Sequence, residues 1–199
     1  MNDDTTEGEQ AYVAGFACLV GRPNAGKSTL TNALVGTKVA ITSSKPQTTR
    51  HTIRGIVSGE HSQLILVDTP GLHKPRTLLG QRLNDLVRET LLEVDVIGFC
   101  LPANQRIGPG DQFIARELAE LRRGKRTPVV ALATKSDTVG KKRLAEHLIA
   151  IDQLGDWSDI VPCSATRGDQ VSVVGEVLAR HLPPSPGPPL RSARRDARS

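Results

Sequence analysis

The sequence predicts an α/β fold in three layers, a mostly parallel six-stranded sheet with helices on both faces. Three observations predict it. From Val13 onward, short apolar runs of strand length alternate with segments whose apolar residues recur at helical spacing. An apolar run, Phe16–Val20, leads through a glycine-bounded loop, Gly21 to Gly26, into the helix-forming stretch Ser28–Leu34. And 199 residues give room for one full α/β domain with tails, but hardly for two domains.

Taken in order, residues 1–12 are acidic and polar and read as a disordered tail. The first strand is expected at about 15–20 and the first helix at about 27–36, closed by Gly36. Residues 37–51, rich in Thr and Ser, read as a long loop. Thr52–Ser58 and Gln63–Asp68, joined by Gly59-Glu60-His61-Ser62, read as a β-hairpin. Leu78, Leu83, Leu86, Val87, Leu91 and Val94 mark a second helix. Val94–Leu101 is a buried strand, and Pro109 and Asp111 start the next helix, on Phe113, Ile114, Leu118 and Leu121. Val129–Ala133 is a strand, Lys141–Ile151 a helix, Ile160–Cys163 a short strand, and a last helix runs to about Leu182. The domain is thus placed at 13–182, and the Pro- and Arg-rich 183–199 as an extended, solvated tail.

Composition narrows the class. No apolar run approaches the roughly 20 residues of a membrane span, so no integral membrane segment is expected. Cys18, Cys100 and Cys163 are far apart and form no C-x-x-C pair, which makes them small buried hydrophobes in a reducing cytoplasm. The net charge of +5 divides into −4 over residues 1–10, +3 over 183–199 and +6 between them. That balance suits a polyanionic nucleotide or RNA, and equally a plain solvated surface.

The chemistry starts at Gly21-Arg22-Pro23-Asn24-Ala25-Gly26-Lys27-Ser28, which fits G-x-x-x-x-G-K-[ST] at every specified position, in strand–loop–helix context. Backbone N–H groups of such a loop, and of the helix that follows through Thr29, converge on phosphates. Lys27 adds a point charge for the outer phosphates, and the Ser28 hydroxyl is a magnesium ligand. The fold class is that of a P-loop NTPase. Asp68-Thr69-Pro70-Gly71 follows an apolar strand, placing a magnesium-binding carboxylate, Asp68, opposite the loop and offering the Gly71 N–H to the terminal phosphate. Thr134-Lys135-Ser136-Asp137 also follows a strand. The Asp137 carboxylate matches the ring N–H and exocyclic amine of guanine, where adenine presents an acceptor, and the Lys135 stem covers the base. Ser164-Ala165 is the candidate for a backbone N–H to the guanine carbonyl. His51, His61, His73, His147 and His181 form no metal set, and Trp157 reads as a packing residue.

Gly21–Ser28, Gln47-Thr48-Thr49-Arg50-His51, Asp68-Thr69-Pro70-Gly71-Leu72-His73 and Ser164-Ala165, in this order, resemble the GTPase domain of the Era family of bacterial ribosome-assembly GTPases. The resemblance covers roughly residues 13–182. It implies a slow GTP-hydrolysing switch that binds GTP and GDP with Mg²⁺. The 37–51 loop would be its first switch, with Thr49 (or Thr48) reaching the magnesium, and residues 71–80 its second. Lys27, Thr49, Gly71 and Asn24 are the catalytic candidates, Asn24 either as a K⁺ ligand or as an ordinary turn residue. The implied partners are the small ribosomal subunit and its rRNA. The implied location is the cytoplasm, with peripheral contact at the inner face of the cell membrane left open.

One position bears on mechanism, and a further position and a segment depart from the family pattern. Leu72 stands where Ras-like GTPases carry a water-orienting glutamine. Thr134 replaces the usual asparagine of the base motif, a loss of about one ordinary hydrogen bond, ~1 kcal/mol. After Leu182 nothing has the apolar content of the family's RNA-binding KH domain, so rRNA binding is expected to be impaired and the terminus to be truncated or frame-altered. The alternative expectation is a guanine-nucleotide-binding module without useful turnover that competes with a full-length Era protein for its partners.

Overall fold

A computed structural model describes residues 11–37, 53–68, 87–124 and 126–185. Its strands are β1 (Val13–Val20), β2 (Ile53–Ser58), β3 (Ser62–Val67), β4 (Val96–Pro102), β5 (Val129–Thr134) and β6 (Asp159–Pro162). Its helices are α1 (Lys27–Thr37), α2 (described over 87–93), α3 (Pro109–Gly124), α4 (Lys141–Leu154) and α5 (Val171–Arg180). The six strands form one sheet in the order β2-β3-β1-β4-β5-β6. Only β2 and β3 pair antiparallel, as the short Gly59–His61 connection between them requires. The remaining pairings, β1 with β3 and β4, β4 with β5, and β5 with β6, are parallel.

The sheet separates two apolar cores by the period-two alternation of its strands. In β1, Ala17 and Leu19 face one core while Cys18 and Val20 face the other. The first core continues through Leu30 and Leu34 of α1 and Val174 and Leu178 of α5. The second continues through Leu91 of α2, Ile114 and Leu118 of α3 and Ile151 of α4. This is the three-layer arrangement expected from the sequence. Cys18, Cys100 and Cys163 are fully buried and unpaired, and burial pushes all three thiols up, Cys163 to about 12.

Four local expectations change. Helix α1 runs through Gly36 to Thr37 rather than stopping at the glycine. Helix α4 continues past Ile151 to Leu154. The C-terminal segment does not leave the domain at 183: Ala14 N donates to Pro183 O (3.2 Å) and Ser185 N to Tyr12 O (2.8 Å), tying 183–185 to the strand that starts the fold. Tyr12, assigned to the N-terminal tail, is part of that contact. Of the expected loop at 37–51, Thr37 is the last residue of α1; the rest of it, the second switch at 71–80, the start of the second helix and the tail from 186 lie outside the described residues.

Candidate functional site at the carboxyl ends of the strands

β1 lies at the point where the chain turns from one side of the sheet to the other, with β3 on one flank and β4 on the other. A crevice at the carboxyl ends of the strands is the usual ligand position in such sheets. The phosphate loop leaves β1 there. Its turn is made by Gly21 (φ 152°), Asn24 (φ 62°) and Gly26 (φ 92°), all on the left-handed side. At Gly21 a side chain is also barred by space, since a Cβ would sit 2.7 Å from the Cys100 carbonyl oxygen.

Helix α1 begins at Lys27, and its first helical bond in this region runs from Leu30 N to Gly26 O (2.9 Å). The N–H groups of Lys27, Ser28 and Thr29 therefore have no helical carbonyl behind them and face out of the helix start. Lys27 Nζ donates to the carbonyls of Gly21 (2.8 Å) and Arg22 (2.8 Å), which arches its side chain across the loop. An ammonium has three N–H donors, so one remains for a phosphate oxygen. Burial lowers the Lys27 pKa.

Arg22 does something its place in the motif does not suggest. It was expected among the nucleotide-binding residues, but its guanidinium turns away from the helix start. Nε donates to Asp111 Oδ1 (2.7 Å) and Nη2 to Gln105 Oε1 (3.1 Å). Asp111 is 1% exposed, and its other oxygen accepts from Gly108 N (2.9 Å), capping α3. Arg22 thus contributes its backbone to the loop while its side chain fixes the loop to α3. Pro23 and Asn24 are exposed, and Ala25 is buried.

The base loop follows β5. Thr134, also expected to bind nucleotide, is 3% exposed and donates its hydroxyl to Ala25 O (2.6 Å). That bond makes it a strut between the two loops. Lys135 takes a left-handed conformation (φ 57°), and its Nζ donates to Asn24 O (2.8 Å). A 3-10 turn, Ser136–Thr138, then presents the half-buried Asp137 carboxylate, and Thr138 Oγ1 closes the turn on Lys135 O (2.6 Å). Ser136 N donates to Cys163 O (3.1 Å), which brings the Ser164-Ala165 loop alongside. Ser164 N is already committed to Asp169 O (3.0 Å) and its hydroxyl accepts from Arg167 N (3.2 Å). Of that pair, only Ala165 has a backbone N–H to offer.

Asp68 sits just past β3 and pairs with Arg54 of β2, a partner that no motif in the sequence announces. Asp68 and the exposed Ser28 hydroxyl supply oxygen donors only, the chemistry a hard divalent cation prefers, and magnesium at phosphates needs no more than one or two protein ligands. Thr49, Thr69, Pro70 and Gly71 lie outside the described residues. Among the described residues no cluster of three or more His, Cys, Asp or Glu is placed to hold a metal. Trp157 packs as expected: its indole N–H donates to Ile151 O (2.7 Å), and its ring lies 5.5 Å from that of Phe99.

A phosphate loop after β1, joined to a second loop after β5 on this sheet, defines the P-loop GTPase class. A family described as 50S ribosome-binding GTPase matches residues 16–135. GTPase Era of Streptomyces coelicolor is 67% identical over 183 residues, covering 89% of this chain and 57% of that protein. GTPase Era of Mycolicibacterium paratuberculosis is 63% identical over 176 residues, covering 88% and 58%. A crystal structure of Era in complex with MgGDPNP and nucleotides 1506–1542 of 16S ribosomal RNA superposes with a TM-score of 0.72 at 32% identity, over 91% of this chain and 60% of that one. Aquifex aeolicus Era bound to GDP and aluminium fluoride gives a TM-score of 0.71 at 32% identity, over 90% and 60%. The chain belongs to this GTPase family, and within it to the Era GTPases. It spans less than three-fifths of the length of these two curated relatives.

Proposed function

We propose that the chain binds GTP and GDP with Mg²⁺ and hydrolyses GTP slowly, as a switch acting in small ribosomal subunit assembly. The observation that carries the reading is the pair of bonds from Thr134 and Lys135 to the carbonyls of Ala25 and Asn24. They hold the loop that would read a base at a fixed distance from the loop that would hold its phosphates, as a nucleoside triphosphate site needs. Asp137 then selects guanine by accepting from its ring N–H and amine.

Ser28 and Asp68 would hold the magnesium, with Thr49 joining from the first switch; the ion would neutralise charge between the outer phosphates. Lys27 and the N–H groups of Lys27, Ser28 and Thr29 bind and orient the phosphate chain. The Gly71 N–H would meet the terminal phosphate, and Asn24 would hold a potassium ion in place of an arginine finger. With Leu72 unable to orient water, unstimulated hydrolysis should be slow, on the order of 10⁻⁴–10⁻² s⁻¹. The complex of Era with a 16S rRNA fragment supports a ribosomal role for the relatives, and this chain's share in it, in the cytoplasm, belongs to the proposal.

Competition of GTP and ATP for the site tests the base assignment. GTP should win on the wild type, and Asp137→Asn should lose at least tenfold of that preference, since hydrogen bonds to charged groups are worth about 1.5–3 kcal/mol. Equal competition by ATP on the wild type would sink the guanine reading.

A further inference from the structure

At the opposite edge of the sheet, where β5 begins rather than ends, a cavity of about 700 Å³ opens between the end of α3 and the end of α4. Arg116, Arg122, Arg123 and Arg126 line it, over an apolar floor that includes Leu118 and Trp157. Asp156 is the single carboxylate in the lining. That residue and its own backbone carbonyl engage Arg122, and Arg123 pairs with Glu120. Arg116 and Arg126 are exposed and make no ion pair among the described residues. The sequence around the helix end, Arg122-Arg123-Gly124-Lys125-Arg126, is a cation run of the kind that marks nucleic-acid contacts, and it belongs to none of the nucleotide-site motifs.

We propose that this groove binds single-stranded RNA through its phosphodiester backbone. Guanidinium forks match phosphate oxygens in pairs, and all four cations of the lining are arginines. Arg116, Arg122 and Arg123 are spread over about 10 Å of helix α3 and Arg126 lies beyond its end, which suits a chain of phosphates rather than one anion. A charged groove of this form tracks a strand's backbone. The recess disfavours a flat membrane surface. The groove reads no base sequence, because the Trp157 ring is not free to stack: Gly155 lies against it so closely that a Cβ there would be 2.7 Å from the indole. β5 separates the groove from the nucleotide site by six residues, roughly 20 Å of strand, so both can be filled together. The proposal stands whichever nucleotide the other site takes.

Trp157 is the only tryptophan of the chain and reports on the groove directly. Titrating the full chain with a single-stranded RNA of about a dozen nucleotides should change Trp157 emission saturably, alike for unrelated sequences. Arg116→Ala with Arg126→Ala should weaken binding at least tenfold, and flatten the slope of log K against log salt by about 1.4, the value for two released counterions on a single strand. Unaltered binding of a fluorescent GDP checks that the variant is folded. RNA that binds without altering Trp157 emission, an unchanged slope in the folded variant, or displacement of RNA by polyglutamate at equal charge would each overturn the proposal. Should the variant not fold, the wild-type emission and the polyglutamate competition decide alone.

Discussion

Thr134 shows how far one residue's role depends on where its side chain points. Read as a base contact, it counts as a weakened substitute for asparagine; as a strut to Ala25 O, it acts on loop spacing instead. Thr134→Val removes a buried donor and leaves the Ala25 carbonyl short of a partner, a cost of about 1–3 kcal/mol. The expected outcome is weaker binding of GTP and ATP alike with the guanine preference kept, measured by the same competition; a selective loss of GTP would return Thr134 to the base. Arg54 makes the converse case, a residue outside every motif that holds a motif carboxylate. On the proposed reading, magnesium would have to take Asp68 from it. Because the pair is exposed, Arg54→Ala should lower the Mg²⁺ concentration needed to retain GDP only a few-fold, the effect of an exposed pair worth about 0–1 kcal/mol. Release of a fluorescent GDP across a Mg²⁺ titration reads this directly, and a higher Mg²⁺ requirement would show that Arg54 supports the site instead.

Among elements, the start of α3 and the phosphate loop are coupled by one buried carboxylate. Asp111 caps its own helix and holds Arg22 at the same time, so a substitution at either end acts on both. Arg22→Ala leaves Asp111 charged, buried and half-satisfied. The cost should be about 3 kcal/mol, the lower end for a broken buried pair, since Arg22 is 28% exposed. Urea unfolding measures it. Adding Asp111→Ala to the first substitution should recover part of the loss, because the stranded charge is then gone. An additive double variant would mean that the two side chains act independently.

The whole molecule is two cores on one sheet, and its thiols sit within them. The sign of the resulting pH dependence is fixed. The Cys163 thiol ionises at about 9.0 when unfolded and about 12 when folded, so above 9.0 the unfolded chain holds fewer protons than the native one. Stability is complete below 9.0 and falls as pH rises toward 12, with Cys18 and Cys100 acting in the same direction. The urea midpoint should therefore drop across that window, and Cys163→Ser or Cys163→Ala should reduce the drop. The same burial predicts that a thiol reagent modifies none of the three in the native protein near neutral pH.

Much of this was legible in the sequence because it is local. The strand–loop–helix around Gly21–Ser28 states its own conformation through glycine positions, and the alternation of strand and helix patterns leaves few topologies open. The hairpin, five helices and the separate burial of three cysteines follow from period and turn chemistry in the same way. What only the tertiary structure decided is which distant groups share a bond. Thr134 meets Ala25, Arg22 meets Asp111, Arg54 meets Asp68, and the end segment at 183–185 meets Tyr12. Side-chain periodicity says which face a residue occupies and nothing about its partner across the sheet. That choice is made only when the strands are placed side by side, and at their carboxyl ends it turned two legible motifs into one braced site.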